Sequence, residues 1–223
     1  TVTVNGSLLG SFGGVSSLVA DLGGGNDSAS TSSSIPTSTL IRINGQSGND
    51  TIGGGAGGDV LTGGDGFDNL DGNGGDDSLY GDAGDDTLLG DGGDDNLYGG
   101  NNNDQMAGGS GADEFRGESG TDLVDYSASA SRVKVDLDNV ADDGTASGST
   151  STEFDNVFNT VEQIGGSGYN DSLDASMVAF SVTLSGGAGN DTLAGGSAMD
   201  LIDGGSGTDS VVASGGGDTL INI

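Results

Sequence analysis

The sequence predicts an all-β protein, a right-handed parallel β-solenoid, on three observations. Aspartates recur at nine-residue intervals, at Asp50, Asp59, Asp68, Asp77, Asp86, Asp95, Asp104, Asp113 and Asp122. An apolar residue stands two places after each: Ile52, Leu61, Leu70, Leu79, Leu88, Leu97, Met106, Phe115 and Val124. Glycines, 48 in the chain, fill most of the space between. A period held in both charge and apolarity means one small unit stacked many times. The unit reads Gly-Gly-x-Gly-x-Asp-x-apolar-x, a glycine turn followed by a short strand that turns one face to a core.

In chain order, residues 1–44 are irregular coils of the same solenoid. Residues 1–4 alternate like a strand and meet the Asn5-Gly6 turn signal. Ser17-Leu18-Val19-Ala20 runs into Gly23-Gly24-Gly25-Asn26-Asp27, a degenerate copy of the turn, and residues 40–43 read as a strand. Asp27 and Asp50 lie 23 residues apart, one longer coil. Residues 45–125 are the regular array of nine units. Residues 126–165 interrupt it with a strand at 133–137, a polar loop through Asp142-Asp143-Gly144 to Thr152, and an apolar patch of Phe154, Val157, Phe158, Val161 and Ile164. The spacing of that patch leaves helix and strand both open. Residues 166–223 form a second block, with turns at Asp171, Asp191, Asp200, Asp209 and Asp218 and a strand at 180–184 in the longer gap.

Composition narrows the function. An apolar fraction of 31%, with four Tyr and six Phe, is poor material for a wide globular core. Four basic residues against 35 acidic ones give a net charge of −31, which excludes nucleic acid and anionic membrane as partners. Such acidity would ordinarily mean disorder, but disordered tracts do not keep a nine-residue register. The chain has no cysteine, hence no disulfide, and no apolar run approaching the ~20 residues of a membrane helix. No signal peptide is visible and the chain opens at Thr1, so it is expected to be part of a longer polypeptide. Without His or Cys, and without a Gly-x-Ser-x-Gly elbow, the usual triads, zinc sites and thiol nucleophiles are missing, and no enzyme activity is expected.

The aspartates carry the chemistry. Two units of turn and strand close one coil of eighteen residues, so alternate turns share an edge. One edge carries Asp50, Asp68, Asp86, Asp104 and Asp122, and the other Asp59, Asp77, Asp95 and Asp113. Neighbouring strands lie about 4.8 Å apart, so stacked carboxylates repel unless a cation stands between them. Calcium suits this donor set, because it takes six to eight oxygens at roughly 2.3–2.6 Å. Carboxylates would be joined by backbone carbonyls of the fourth turn position, at Gly48, Gly57, Gly66, Gly75, Gly84, Gly93, Asn102, Gly111 and Gly120, and later at Gly189 and Gly207. Magnesium demands tighter octahedral geometry, and zinc lacks its His and Cys ligands. Four gaps on one edge, three on the other, and the pairs Asp191/Asp209 and Asp200/Asp218 give about nine calcium sites. Asp27 and Asp171 are further candidates, as is a separate calcium held by Asp142, Asp143, Glu153 and Asp155 in the insertion. Asp76, Asp85 and Asp94 read as solvated turn side chains.

Departures from the unit are few. Asn102 replaces the fourth glycine and is tolerable because Asn visits left-handed conformations. Gln46, Asn73, Asp82, Asp91 and Glu118 replace the second. Ala198 and Tyr169 replace the fourth before Asp200 and Asp171, which weakens those two sites. Tyr80 and Tyr98, eighteen residues apart, should stack on one outer face.

The unit resembles the RTX, or hemolysin-type, calcium-binding nonapeptide repeat, closely over about half the chain and loosely over the flanking coils. The resemblance implies a parallel β-roll and a calcium-binding structural module of a secreted bacterial protein. It also implies export of the unfolded chain through a type I channel and folding in extracellular calcium, to a final place outside the cell or on its surface. Two other readings stand beside this one: an adhesion module binding glycan or matrix through the tyrosine strip, and the calcium module of a larger secreted enzyme. An ice-binding solenoid would need a threonine ladder, and the outward position instead runs Thr51, Val60, Asn69, Ser78, Thr87, Asn96, Gln105, Glu114, Leu123.

Overall fold

A computed structural model describes residues 2–5, 7–10, 16–31, 36–147, 150–151, 154–212 and 215–223. Among them there is no helix, only short strands and turns, and no helix long and apolar enough to cross a membrane. The fold is an all-β parallel solenoid, as the nine-residue period predicts. The chain forms two compact units, Thr1–Asp113 with Glu118–Gly120, and Glu114–Gly117 with Thr121–Ile223.

The first unit is built from two parallel sheets. In one, Thr51, Asn69, Thr87 and Gln105 lie in register, so that Ile52, Leu70, Leu88 and Met106 form a single column. In the other, Ile43, Leu61, Leu79 and Leu97 do the same. All eight side chains are buried. Each step is eighteen residues, because a nine-residue half-coil has room for one turn and one strand, and the next half-coil must run back on the other sheet. The longer first coil keeps register as well: Ser28 and Ala29 pair with Thr51 and Ile52 across 23 residues. Antiparallel pairing occurs at the start, where Val2–Val4 pairs with Ser7–Gly10 and with Ser28–Thr31.

The second unit keeps the stacking and changes the path. One column runs Val124, Ile164, Leu184, Ile202, Leu220, and another Val135, Leu173, Leu193, Val211. The chain departs between Asp125 and Gln163 and returns in register. The apolar patch left open between helix and strand forms two short strands, Asn156–Val157 and Gln163–Gly165. Val157, Val161 and Ile164 are buried, and Phe154 is exposed. Val157 pairs beside Phe115, whose ring meets Tyr126 edge-on at 6.1 Å.

Candidate metal centre

The strand after each turn has the inward–outward alternation of any half-buried strand, and the aspartate that precedes it also points inward. The nine array aspartates are all buried; Asp77 and Asp122 have no accessible surface. Their first oxygens form a ladder. The amide of each aspartate donates to Oδ1 of the aspartate one coil on: Asp50 to Asp68 at 2.7 Å, Asp68 to Asp86 at 2.8 Å and Asp86 to Asp104 at 2.9 Å. The other edge repeats this from Asp59 to Asp77, Asp77 to Asp95 and Asp95 to Asp113 at 2.6, 2.8 and 2.9 Å. In the second unit Asp171 donates to Asp191, Asp191 to Asp209 and Asp200 to Asp218, at 2.8, 2.9 and 3.1 Å. Asp27 donates to Asp50 at 2.7 Å.

The second oxygens face inward onto glycine. A methyl group at Gly81 would meet both Asp86 Oδ2 and the Gly99 carbonyl oxygen, and Gly45, Gly72, Gly90 and Gly186 stand likewise before Asp50, Asp77, Asp95 and Asp191. Each place therefore gathers a carboxylate oxygen and a carbonyl oxygen around a Cα without a side chain. Oδ2 of Asp50, Asp68, Asp77, Asp86, Asp95, Asp191, Asp200 and Asp209 is buried there without a hydrogen-bond donor. A buried carboxylate oxygen with no donor is costly. Burial pushes the Asp77 carboxyl up to about 8, reinforced by Asp95 and Asp59, although the Asp59 amide opposes it. Burial likewise raises Asp86, Asp95 and Asp191 to about 6. Hard oxygen donors of this kind, crowded and short of positive charge, fit a calcium ion.

The turn backbone explains the glycines. Gly48, Gly66, Gly75, Gly84, Gly93, Gly111, Gly189 and Gly207 have positive φ, and Asn102 adopts φ +82° in the same position. At Gly84 a side chain would also overlap the Gly66 carbonyl of the coil before. Gly120 has φ +158°, and Gly57 is not left-handed. The second position is left-handed too, even where it is not glycine: Gln46, Asn73, Asp82, Asp91 and Glu118 have φ between +69° and +76°. The fifth position forms a second ladder running the opposite way. Asp76 Oδ1 accepts from the Asp94 amide at 3.1 Å, Asp85 from Asn103 at 3.0 Å, and Asp94 from Ala112 at 2.9 Å. Asn26, Asn49, Asn170 and Asn190 do the same for Asn49, Phe67, Asn190 and Thr208. Asp76, Asp85 and Asp94 are thus exposed turn side chains that also accept from backbone.

Some turns differ. Before Asp59, Asp171 and Asp200 no turn residue has positive φ. The Gly55 amide donates to Asp59 Oδ2 at 2.6 Å, and the Ser167 amide to Asp171 Oδ2 at 2.6 Å, so in these two turns the second oxygen already has a donor. In the insertion Asp143 and Asp155 come together, the Asp143 amide donating to the Asp155 carbonyl at 3.1 Å and the Asp155 amide to the Asp143 carbonyl at 3.2 Å. Asp142 pairs with Lys134 at 2.9 Å, and Lys134 also holds Asp136 at 2.7 Å. Asp143 is fully buried; its carboxylate accepts from the Asp136 and Val157 amides at 2.6 and 2.9 Å, and burial pushes it up to about 8. Asp155 Oδ2 accepts from Tyr126 Oη at 3.0 Å. Glu153 lies outside the described residues. Asp136, Asp138 and Asp142 come together, and Lys134 pairs with two of them, Asp136 and Asp142.

Two groups escape a reading of the motif aspartates alone. The first-position glycine was legible as the one turn residue that never varies from Gly45 to Gly117. Glu162 accepts from the Asp122 amide at 3.0 Å, as a ladder aspartate would. Its signal is Ile164, two residues later, the spacing every motif aspartate shows.

A family model described as RTX calcium-binding nonapeptide repeat (4 copies) matches residues 42–61, 53–88, 62–97, 98–128 and 185–220, together more than half of the chain. No curated protein matches the chain.

Proposed function

The chain belongs to the RTX calcium-binding nonapeptide repeat family, and from its calcium-binding repeats we propose a structural module that folds when calcium fills its turns, after export through a type I channel. The observation that carries this reading is the row of buried, donor-less Oδ2 atoms, at Asp50, Asp68, Asp77, Asp86 and Asp95 in one unit and at Asp191, Asp200 and Asp209 in the other. Calcium, when bound, supplies the positive charge that these oxygens lack. The chain's own part is to hold each carboxylate by an amide on one oxygen, and to present the other beside a first-position carbonyl. The ligands are the thirteen motif aspartates from Asp50 to Asp218 with carbonyls of the turn, and the complement is about nine ions. Extracellular calcium modules work near 10⁻⁴–10⁻³ M, which separates a threadable chain inside the cell from a folded one outside. The module is secreted or surface-borne and not itself catalytic.

The adhesion reading draws less from the structure. Tyr80 and Tyr98 stack with centroids 4.8 Å apart and planes 5° apart, so each ring covers a face that a sugar would need. The test of the main reading is a calcium titration followed by far-UV circular dichroism, on wild type and on Asp86→Ala. The substitution removes an acceptor for the Asp68 amide and a cradle oxygen at once. Its midpoint should rise about threefold or more, or its cooperativity should fall. An unchanged curve would sink the shared-ladder geometry.

A further inference from the structure

The regular ladder stops at Asp122, because the chain then leaves the stack and no motif aspartate follows eighteen residues on. The step itself continues. Leu123, Val124 and Asp125 pair in parallel with Gln163, Ile164 and Gly165, and the Gln163 amide donates to the Asp122 carbonyl at 2.9 Å. That is the bond by which the Asn69 amide meets Asp50 at 2.8 Å in the array. Glu162 therefore stands beside Asp122 where Asp68 stands beside Asp50, and its Oε2 takes the Asp122 amide at 3.0 Å.

The cradle recurs with the step. A methyl group at Gly117 would meet Asp122 Oδ2 and the Thr160 carbonyl oxygen. At Gly81 the same two kinds of oxygen come from Asp86 and Gly99. A second observation comes from the residue that supplies this carbonyl: Thr160 Oγ1 is buried without a hydrogen-bond partner. A buried, unsatisfied hydroxyl on that residue is one more hard oxygen an ion could use.

We propose that Gly117 and Asp122 with residues 160–162 form a further calcium site, in which Glu162 replaces the missing motif aspartate and the Thr160 carbonyl replaces that of a first-position glycine. The proposal rests on reading the regular cradles as calcium sites. It extends that reading to a glutamate outside every repeat, forty residues along the chain from Asp122. The ion would fasten Asp122, where the chain departs, to Glu162, where it returns, so the excursion closes in register only when calcium is present.

Calcium bound per chain is counted by equilibrium dialysis for wild type, Glu162→Gln and Asp86→Asn. Glutamine keeps a carbonyl oxygen for the Asp122 amide and removes the charge. E162Q should therefore bind about one ion fewer while keeping its circular dichroism at saturating calcium. A wild-type count in E162Q, with D86N lowered, overturns the junction site and leaves the regular cradles standing. A wild-type count in both variants removes the premise and the proposal together. Should E162Q fail to fold, anomalous difference density from calcium-loaded wild-type crystals decides: a peak between Asp122 Oδ2 and the Thr160 carbonyl is expected, and its absence overturns the site.

Discussion

A ladder aspartate of a regular turn divides its oxygens, Oδ1 to a neighbour's amide and Oδ2 to the cradle, and the glycine five residues before it makes the room. Gly81→Ala would push a methyl group against Asp86 Oδ2 and the Gly99 carbonyl. Overpacking of this kind costs about 1–3 kcal/mol, with calcium affinity lost besides. Gly74→Ala, whose nearest neighbour would be the Gly92 carbonyl at 3.6 Å, should stay within about 0.5 kcal/mol of wild type; melts at fixed calcium compare the two. Protonation follows from the same burial. A carboxyl raised on folding takes up a proton, so its contribution is complete below its ordinary value and is lost as pH rises through the folded one. For Asp77 that window runs from 3.8 to about 8, and for Asp86 and Asp95 from 3.8 to about 6. The calcium-free chain should therefore gain β structure on acidification from about pH 8 to about pH 4.5, while calcium affinity falls as protons compete for the same oxygens. Circular dichroism in chelator that stays unordered across that range would count against the assignment.

At the scale of the element, a turn's shape depends on what it stacks upon. The turn Gly54-Gly55-Ala56-Gly57-Gly58 has every glycine the repeat asks for, yet none is left-handed. The segment it stacks on is no glycine turn: Gly57 abuts the Thr37 carbonyl, and Asp59 Oδ1 takes the Ile41 amide at 3.0 Å. The turn before Asp200 behaves alike, with Gly196 against the Val178 carbonyl and Asp200 Oδ1 on the Val182 amide at 3.0 Å. Sequence alone could not separate the turn before Asp59 from the rest, because its residues are those of a regular turn, whereas Ala198 marks the one before Asp200. Where the stacking is regular, second-position side chains are held in left-handed backbone, Gln46 at φ +76° among them. Gln46→Gly removes that penalty, partly offset by the greater freedom of glycine in the unfolded chain, and should stabilise by about 0.5–1 kcal/mol. A raised melting temperature at saturating calcium is the expected readout.

For the whole chain, a net charge of −31 and columns only one side chain wide leave little to oppose self-repulsion once calcium is removed. Chelation should abolish the β signal and expand the chain, seen as a larger radius of gyration in small-angle scattering, and readdition of calcium should reverse both. A chelated chain with undiminished β signal would refute the coupling of folding to metal. The nine-residue period by itself determined the parallel solenoid, the eighteen-residue register, the inward apolar column and calcium as ligand, because each follows from local spacing and from donor type. Only the tertiary structure decided which aspartate oxygens lack donors, that Asp76, Asp85 and Asp94 bind backbone, that Asp143 bridges Asp155 while Asp142 pairs with Lys134, and that Glu162 enters the ladder. Those depend on which coil lies alongside, and contacts across excursions as long as that from Leu123 to Gln163 leave no periodic trace in the sequence.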